Sequence, residues 1–318
     1  MDKILHDFGF VTACHAGDYA LAKATCASIR CSLPDVPIAL IVDGEVNTDD
    51  IIRAHGVIPL PVSELPDPTL RQACSRSYFA KWACFWTAPF QRFVYLDSDA
   101  LAVGAWAEFI HDQSWEFCIF APPSSDIVEP AALRKYFFDP QEIARLDPLF
   151  EWEHQPYFCA GAFAASAGFI SPAQFLSLLE VSRSNPTMFD GTDQGMLNYL
   201  VLKARAHGKG VQVRNMQFIL PDHDPLEALE RFGHDPSKTP SLPPCIVHYC
   251  GIKPWLHQRR HEHALFTEYR LLHYRKLYGT GLAARAISWF RIWKEECACM
   301  LGKIKGRISR WMRRPQND

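Results

Sequence analysis

Two carboxylates that follow an apolar run are the residues of this chain best suited to chemistry. Within the stretch 92–103, β-branched and aromatic residues predict a buried central strand of a parallel sheet, and Asp97 and Asp99 come directly after it. Such sheets bind ligands beyond the carboxyl ends of their strands, and two carboxylates one residue apart suit Mg²⁺ or Mn²⁺. The alternative is an Asp-Ser-Asp turn that caps the next helix. This stretch alone favours neither.

The elements before this pair alternate between strand and helix, as is typical of a nucleotide-binding α/β unit. They are strands at 8–14, 37–42 and 56–61, a turn at 15–19 followed by a helix to about Cys31, and a short helix capped by Thr48. Residues 74–90 place aromatic side chains at helical spacing and carry one charge, Lys81. The turns contain neither GxGxxG nor GxxxxGK[ST], which argues against a dinucleotide site or a P-loop.

The elements after Asp99 continue this alternation but include long irregular segments. The prediction is a short helix, a strand at 116–120, an irregular insertion at 122–157 with one or two short helices, a strand at 158–170, a helix from Ser171, a strand at 211–220, a polar loop at 221–244 and a strand that ends near His248. The insertion is a candidate for acceptor contacts. Asp193 and Gln194 fall in the first turn of a helix, where Thr192 or Asp193 as an N-cap is the alternative to a functional role.

Length and composition are those of a globular protein. The 318 residues can form one large α/β domain with extensions, or two small domains. The eleven cysteines include no CxxC pair, which favours reduced, packed thiols over a disulfide framework. The charged first residues run directly into a strand, so we expect neither a signal peptide nor a transmembrane anchor. We therefore expect a protein inside the cell.

The C-terminal segment 281–318 differs from the rest of the chain in charge. It has nine Lys and Arg against three acidic residues, whereas the preceding residues have 24 against 32. Its apolar residues recur every three or four positions, which predicts a basic amphipathic helix. We expect residues 285–314 to bind an anionic membrane surface, and the alternative is docking of the apolar stripe on the acidic body. Nucleic acid is not expected, because an apolar stripe has no role there.

Several motifs, taken in order, resemble glycosyltransferase family 8 and within it the glycogenin-like branch. They are Val11-Thr12, Phe79-Ala80-Lys81-Trp82, Asp97-Ser98-Asp99, the run 190–198 (DGTDQGMLN) and the run 248–255 (HYCGIKPW). The resemblance covers about residues 8–260. It implies a GT-A fold, which is a mixed, mostly parallel sheet flanked by helices. The implied domain is residues 1–280, with a donor and metal half at about 8–120 and an acceptor-side half at about 121–260.

The resemblance also implies an activity and a metal site. The activity is the retaining transfer of a hexose from a UDP-sugar to an acceptor, either lipid-linked or a surface glycan. The metal is usually Mn²⁺, with Mg²⁺ as the alternative, and its ligands would be Asp97, Asp99 and His248. Lys81 and Lys253 would neutralise the charge that develops on the leaving UDP.

The remaining implied contacts are to the donor. Uracil and ribose would lie against the loop after the first strand, at Ala13, His15, Ala16 and Tyr19. The hydroxyl of Ser98 would lie near the ribose. Asp190 and Asp193 would bind sugar hydroxyls, Gly251 would contact the diphosphate, and Gln194 would lie near the anomeric carbon. The implied catalytic residues are therefore Asp193, Gln194 and Lys81. Because an amide is a poor nucleophile, we favour attack on the same face as the departing phosphate.

The chain departs from the family pattern at three places. Residues 13–16 are less polar than the family's usual Thr and Asn. One residue, Ile252, separates Gly251 from Lys253 where the family usually has two, and Cys159 stands where relatives tend to have Asn. The departures at Ile252 and Cys159 would suit a non-catalytic module that only binds UDP-sugar. A sugar nucleotidyltransferase is a less favoured alternative, since it should carry a Gly-rich, basic loop after the first strand, and residues 15–18 lack one.

Overall fold

The computed structural model describes residues 6–75, 78–121, 129–189, 192–220, 222–258 and 260–312. The strands are β1 (His6–His15), β2 (Ile38–Asp43), β3 (Ile58–Pro61), β4 (Phe90–Asp97), β5 (Ala100–Val103), β6 (Phe117–Ala121), β7 (Ala162–Ser166), β8 (Val211–Asn215), β9 (Gln217–Leu220) and β10 (Cys245–Tyr249). The helices are α1 (Tyr19–Ser32), α2 (Asp49–His55), α3 (Pro68–Cys74), α4 (Cys84–Thr87), α5 (Ala107–His111), α6 (Pro130–Tyr136), α7 (Pro140–Leu146), α8 (Pro172–Ser184), α9 (Asp193–Ala206), α10 (Pro225–Phe232), α11 (Ala264–Tyr278) and α12 (Leu282–Met312).

A seven-stranded sheet forms the centre of the molecule, in the order β3-β2-β1-β4-β7-β6-β8. Every neighbouring pair is parallel except the two pairs made by β7, which runs antiparallel to β4 and β6. The runs that form β2 and the middle of β1 and β4 are buried and apolar, as strands covered on both faces must be. The expected mixed, mostly parallel α/β sheet flanked by helices is confirmed.

The strand order reverses direction at β1 and β4, and this is where ligands bind in open α/β sheets. These two strands are parallel neighbours, and Ala13 of β1 pairs with Asp97 of β4. The loop after β1 and the carboxylates after β4 therefore leave the sheet at the same edge.

A second sheet, in the order β5-β10-β9, brings a distant histidine to this edge. The chain forms β5 immediately after Asp99, and His248 of β10 pairs with Ala100 at the start of β5. The backbone N–H of Tyr249 also donates to the carbonyl of Asp99, at 3.1 Å. The predicted short helix after Asp99 is α5, but an additional strand precedes it, because Ala100–Val103 is fully buried and pairs with β10.

Two predictions of single elements are wrong. The strand predicted at 211–220 is two strands, since β8 joins β6 in the central sheet and β9 joins β10 in the second sheet. The described part of the loop predicted at 221–244 contains α10 and a 3-10 helix, Pro236–Ser241. Asp224 and Asp235 begin these helices by accepting hydrogen bonds from backbone N–H groups, which is typical of N-caps.

The aromatic segment before β4 is helical only in part. A 3-10 helix, Tyr78–Ala83, leads into the single turn of α4, and Phe90 already belongs to β4. The predicted cap of α2 is also wrong in detail, because the Asn47 side chain, and not Thr48, accepts the N–H of Asp49, at 2.9 Å. The predicted start of α8 is confirmed, with Ser171 and Gln174 forming a capping box.

The C-terminal helix α12 has two different faces. A stripe at four-residue spacing, Ala284, Ser288, Ile292 and Glu296, is buried, and Ile292 packs on Leu271 and Tyr274 of α11. Other large apolar side chains on the helix are exposed, and they are Leu282, Ile287, Trp289, Phe290, Trp293, Met300, Leu301 and Ile304. No helix in the described ranges has the length and apolar character needed to span a membrane.

Candidate active site

Three side chains from two sheets converge beyond the end of β4. Asp97 ends β4, Asp99 follows two residues later, and His248 comes from β10. One ligand atom from each lies within 4.8 Å of the other two, as a shared metal ion requires. Asp99 is fully buried, His248 is almost so, and Nε2 of His248 lies 3.6 Å from Oδ1 of Asp99.

Two observations test whether a divalent cation fits this cluster. Oδ1 of Asp99 is buried and has no hydrogen-bond partner among the described residues, so a lone pair is available for a ligand. The backbone of Gly161 lies so close that an added Cβ would come within 2.2 Å of Cε1 of His248 and 2.8 Å of Oδ2 of Asp97. Two carboxylates and an imidazole in such a cradle fit Mn²⁺ or Mg²⁺, and the imidazole favours Mn²⁺.

Two lysines form ion pairs with the carboxylates of this site. Lys253 donates to Asp99, while Lys81 lies 3.1 Å from Asp97 and 3.0 Å from Asp193. Burial opposes the charged ammonium of Lys81, but the carboxylates of Asp193 and Asp97 outweigh it and raise the pKa of Lys81. Burial likewise opposes ionisation of Asp99, but His248 and Lys253 outweigh it and lower the pKa of Asp99. The site therefore alternates positive and negative groups at neutral pH.

Asp193 and Gln194 lie at the start of α9, beside this cluster. Burial raises the pKa of Asp193 although Lys81 acts against it, so this carboxyl depends on its lysine partner to stay ionised. The Gln194 amide accepts the N–H of Ala160 at 3.2 Å and donates to the carbonyl of Tyr136 at 2.9 Å. The carbonyl of Ala160 also accepts from Lys81 at 3.3 Å, so the backbone of one residue joins Gln194 to the lysine. Asp190 lies outside the described residues.

The loop after β1 lies beside the cluster but has internal contacts of its own. His15 is exposed and accepts the N–H of Gly17 at 2.8 Å, and Ala16 is also exposed. The Tyr19 hydroxyl donates to Asp50 of α2. Ser98 is buried and donates to Asp18 at 3.0 Å, so its hydroxyl is turned toward the loop.

The segment after β10 carries the last predicted positions. Gly251 has a positive φ of 79°, which the loop needs in order to turn from β10 toward Lys253. Cys250, just before it, is partly exposed and lies next to Cys159. A hydrogen bond with Cys159 lowers the pKa of Cys250 to about 6, against the effect of burial.

Sequence reasoning missed three residues that the structure places here. Asp18 joins the loop to Ser98, Gly161 forms the floor of the cluster, and Nε2 of Gln217 lies 3.1 Å from Nδ1 of His248. The small-residue run before β7 was a signal for close backbone approach, but it did not single out Gly161. Asp18 and Gln217 stand in no motif, and only the pairing of strands and loops brings them here.

Comparisons with known proteins agree with this architecture. No family model and no curated protein sequence matches the chain. A solved structure of the galactosyltransferase LgtC with donor and acceptor sugar analogues matches at 17% identity and a TM-score of 0.52, over 83% of this chain and 94% of that one. The chain has a glycosyltransferase fold.

Two further solved structures share the fold. The bifunctional glycosyltransferase WbbM matches with a TM-score of 0.54 and 13% identity, over 93% of this chain and 52% of that one. The apo form of GlyE from Streptococcus pneumoniae TIGR4 matches with a TM-score of 0.51 and 14% identity, over 90% of this chain and 64% of that one. The expected GT-A architecture is confirmed, and the glycogenin-like branch stays a prediction.

Proposed function

We propose that this protein is a metal-dependent, retaining glycosyltransferase of the family 8 type that moves a hexose from a UDP-sugar to an acceptor. The observation that carries the proposal is the convergence of Asp97, Asp99 and His248 at the carboxyl end of β4. In open α/β sheets this is where nucleotides bind, and neighbours that share the fold act on sugars. We further propose that residues 1–280 form one domain, with the donor half at 8–120.

The three ligands would hold Mn²⁺, with Mg²⁺ as the alternative, and the ion would neutralise the diphosphate of the donor. The protein's own contribution comes from two lysines. Lys253 is nearly half exposed although it bonds to Asp99, so its ammonium is free to move onto a phosphate oxygen. The Lys81 side chain is only 12% exposed and lies between Asp97 and Asp193, so it contributes a fixed positive charge.

The contacts of Gln194 support same-face attack. Both ends of its amide bond to the backbone, which holds the side chain in one orientation, and an amide oxygen is a weak nucleophile. We propose that Gln194 orients the sugar near its anomeric carbon while Asp193 binds a sugar hydroxyl. A solved active-site mutant of LgtC replaces a glutamine with glutamate, so a glutamine belongs to the active site of one neighbour.

The test is release of UDP from a panel of UDP-sugars with Mn²⁺, Mg²⁺ or EDTA. We expect one donor to turn over with Mn²⁺, and we expect Asp99→Asn to lose at least about a hundredfold in rate, since it removes a metal ligand. The matched control is Asp112→Asn. Asp112 forms an ion pair with Arg214 of β8, the edge strand of the central sheet, so this variant should keep full activity.

The outcomes separate the proposal from its alternatives. Metal-dependent binding of UDP without turnover of any donor, alone or with acceptors, would indicate a UDP-sugar-binding module. Absence of UDP binding would show that Asp97, Asp99 and His248 do not form a nucleotide and metal site.

We also propose that α12 binds an anionic membrane surface, on the inner face of the cytoplasmic membrane, where a lipid-linked or glycan acceptor would be reached. The helix docks through the stripe Ala284, Ser288, Ile292 and Glu296, so Phe290 and Trp293 are each 60% exposed and form part of an apolar face without a partner among the described residues. The segment 281–318 carries six net positive charges, and each basic residue near an anionic surface adds about 1 kcal/mol.

Flotation with phosphatidylglycerol vesicles tests this second proposal. We expect the protein to float with these vesicles and not with phosphatidylcholine, and we expect Phe290→Ser/Trp293→Ser to reduce the bound fraction strongly because both side chains leave water on binding. Leu149→Ser is the matched control, since Leu149 is 92% exposed but lies between α7 and β7. Equal flotation of the double variant and the parent would contradict the proposal.

A further inference from the structure

The imidazole of His248 has different chemistry on its two sides. Nε2 lies on the side of Asp99, 3.6 Å from its Oδ1, whereas Nδ1 lies 3.6 Å from Sγ of Cys159. Cys250 follows two residues after His248, and ligand atoms of Cys159, His248 and Cys250 lie within 4.8 Å of one another. One side of the ring therefore faces a hard carboxylate oxygen, and the other faces the soft sulfur of Cys159, which lies next to Cys250.

We propose that Cys159, Cys250 and Nδ1 of His248 form a second metal site, which takes a soft divalent cation such as Zn²⁺. Two thiolates and one imidazole are a common zinc donor set, with a fourth position left for water or another ligand. The carboxylate pair suits Mn²⁺ or Mg²⁺, so the two sides of His248 select different metals.

The distances fit this assignment. Zinc bonds of about 2.3 Å to sulfur and about 2.0–2.1 Å to nitrogen, at a tetrahedral angle, place the two ligand atoms about 3.6 Å apart. The Cys159–His248 separation has this value without any metal-induced movement. Cys159 and Cys250 are both partly exposed residues, whereas six of the other cysteines are buried.

The surroundings of His248 support the assignment further. A zinc-bound histidine usually donates its other ring N–H to a carboxylate, and Asp99 stands on the Nε2 side in the position to accept it. For a metal at Nε2, Nδ1 would instead carry the proton, and the side chain of Gln217, 3.1 Å away, could accept it after exchange of its amide O and N positions. Each state of the ring therefore has a partner for its proton.

A neutral imidazole has one free lone pair, so His248 serves one metal at a time. Occupation of the thiol side would therefore remove His248 from the carboxylate site. It would also tie Cys250 to Cys159 and so restrain the turn at Gly251 that leads to Lys253. Soft-metal binding is thus expected to oppose function at the carboxylate side.

Titration of the full-length, metal-free, reduced protein with Co²⁺ tests the site without reference to enzyme activity. Cobalt bound to thiolate shows an intense charge-transfer absorption in the near ultraviolet. We expect one equivalent of Co²⁺ to produce this absorption and Zn²⁺ to abolish it. Cys159→Ala and Cys250→Ala should each lose most of the absorption, and His248→Ala should weaken Co²⁺ binding at least about tenfold.

Two controls separate this site from others in the molecule. Asp97→Asn should keep the absorption, because it alters only the carboxylate side, so failure of the proposed function would not affect this result. Cys297→Ala/Cys299→Ala should also keep it, since these partly exposed thiols lie on α12. Absence of the thiolate absorption in the parent protein, or its persistence in both Cys159→Ala and Cys250→Ala, would overturn the proposal.

Discussion

The metal cluster depends on the absence of a side-chain carbon at Gly161. An added Cβ would lie 2.2 Å from the His248 ring, 2.7 Å from its Nε2 and 2.8 Å from Oδ2 of Asp97, and such separations force something to move. The Asp97 N–H also donates to the Gly161 carbonyl at 2.7 Å, so the backbone here cannot withdraw without loss of that bond. The ligands would have to move instead.

We therefore predict that Gly161→Ala lowers the affinity for Mn²⁺ at least about tenfold, because displaced ligands lose the geometry the ion requires. Calorimetric titration with Mn²⁺ measures this effect, and circular dichroism shows whether the fold persists. Gly210→Ala is the control, since its Cβ would meet only ordinary contacts with Glu116, from 3.5 Å. Unchanged Mn²⁺ affinity in folded Gly161→Ala would show that the cluster is not a metal site.

At this scale the sequence predicted residue types better than contacts. Asp97, Asp99 and His248 stand in motifs with a chemical meaning, and they converge as expected. The contacts of Ser98 and Tyr19 were not predictable, because each hydroxyl is satisfied by a carboxylate on another element, Asp18 and Asp50 respectively. Tertiary packing determines such hydrogen-bond partners, and no local sequence pattern indicates them.

The C-terminal helix α12 docks on the body through buried ion pairs in addition to the packing of Ile292. Arg270 of α11 is fully buried and pairs with Glu295 at 2.9 Å and also with Glu296. Lys23 of α1 lies 2.7 Å from Glu295 and 2.7 Å from Asp50, so the network continues into α2. The two glutamates are the only acidic residues of α12, and both face the body.

We predict that Glu295→Gln/Glu296→Gln releases α12, because removal of the partners of a buried charge costs about 3–5 kcal/mol unless water reaches that charge. Undocking lets water reach Arg270. Trypsin cleavage at Arg291 and Lys294 should then become at least about tenfold faster, as cleavage follows the population of the open form. The control, Glu227→Gln/Glu230→Gln, changes two exposed glutamates of α10. Cleavage rates equal to the parent's would show that apolar packing alone holds the helix.

Predictions of helices and strands succeeded where the hydrophobic periodicity is clear. They failed where contacts between elements distant in the sequence decide the structure. The helices α1, α8 and α9 follow from their patterns and their starts. The break at Met216 did not, because residues 211–220 are apolar enough to read as one strand although β8 and β9 belong to different sheets. Docking of α12 on the body was the alternative to membrane binding, but its ion pairs were not predicted, since Glu295 and Glu296 on a basic helix gave no sign of Arg270.

At the scale of the whole molecule, buried ionisable groups connect helix α2 to helix α11. Nε2 of His55, at the end of α2, lies 3.0 Å from Nδ1 of His273 on α11, and Nε2 of His273 lies 3.6 Å from Asp50. Burial, and then the neighbouring His273, lowers the pKa of His55 from 6.5 to about 2. Burial also lowers the pKa of His273, although Asp50 acts against it.

These shifts fix the direction in which stability changes with pH. Below its unfolded pKa, His55 takes up a proton when the chain unfolds but stays neutral while folded, so the unfolded state binds more protons. Stability is therefore complete above the unfolded value of 6.5 and is lost progressively as the pH falls toward about 2. His273 acts in the same direction.

We predict that the free energy of unfolding, measured with urea, falls by about 1.4 kcal/mol between about pH 7.5 and about pH 5.5 through His55 alone. His55→Gln cannot take up this proton, so its stability should depend less on pH by that amount, whatever its stability at neutral pH. His111→Gln, which changes an exposed histidine of α5, should keep the pH dependence of the parent. Because the comparison uses slopes, a general loss of packing in His55→Gln does not imitate the effect. If His55→Gln and the parent lose stability in parallel, His55 is protonated in the folded protein, and the contact between α2 and α11 does not depend on a neutral histidine pair.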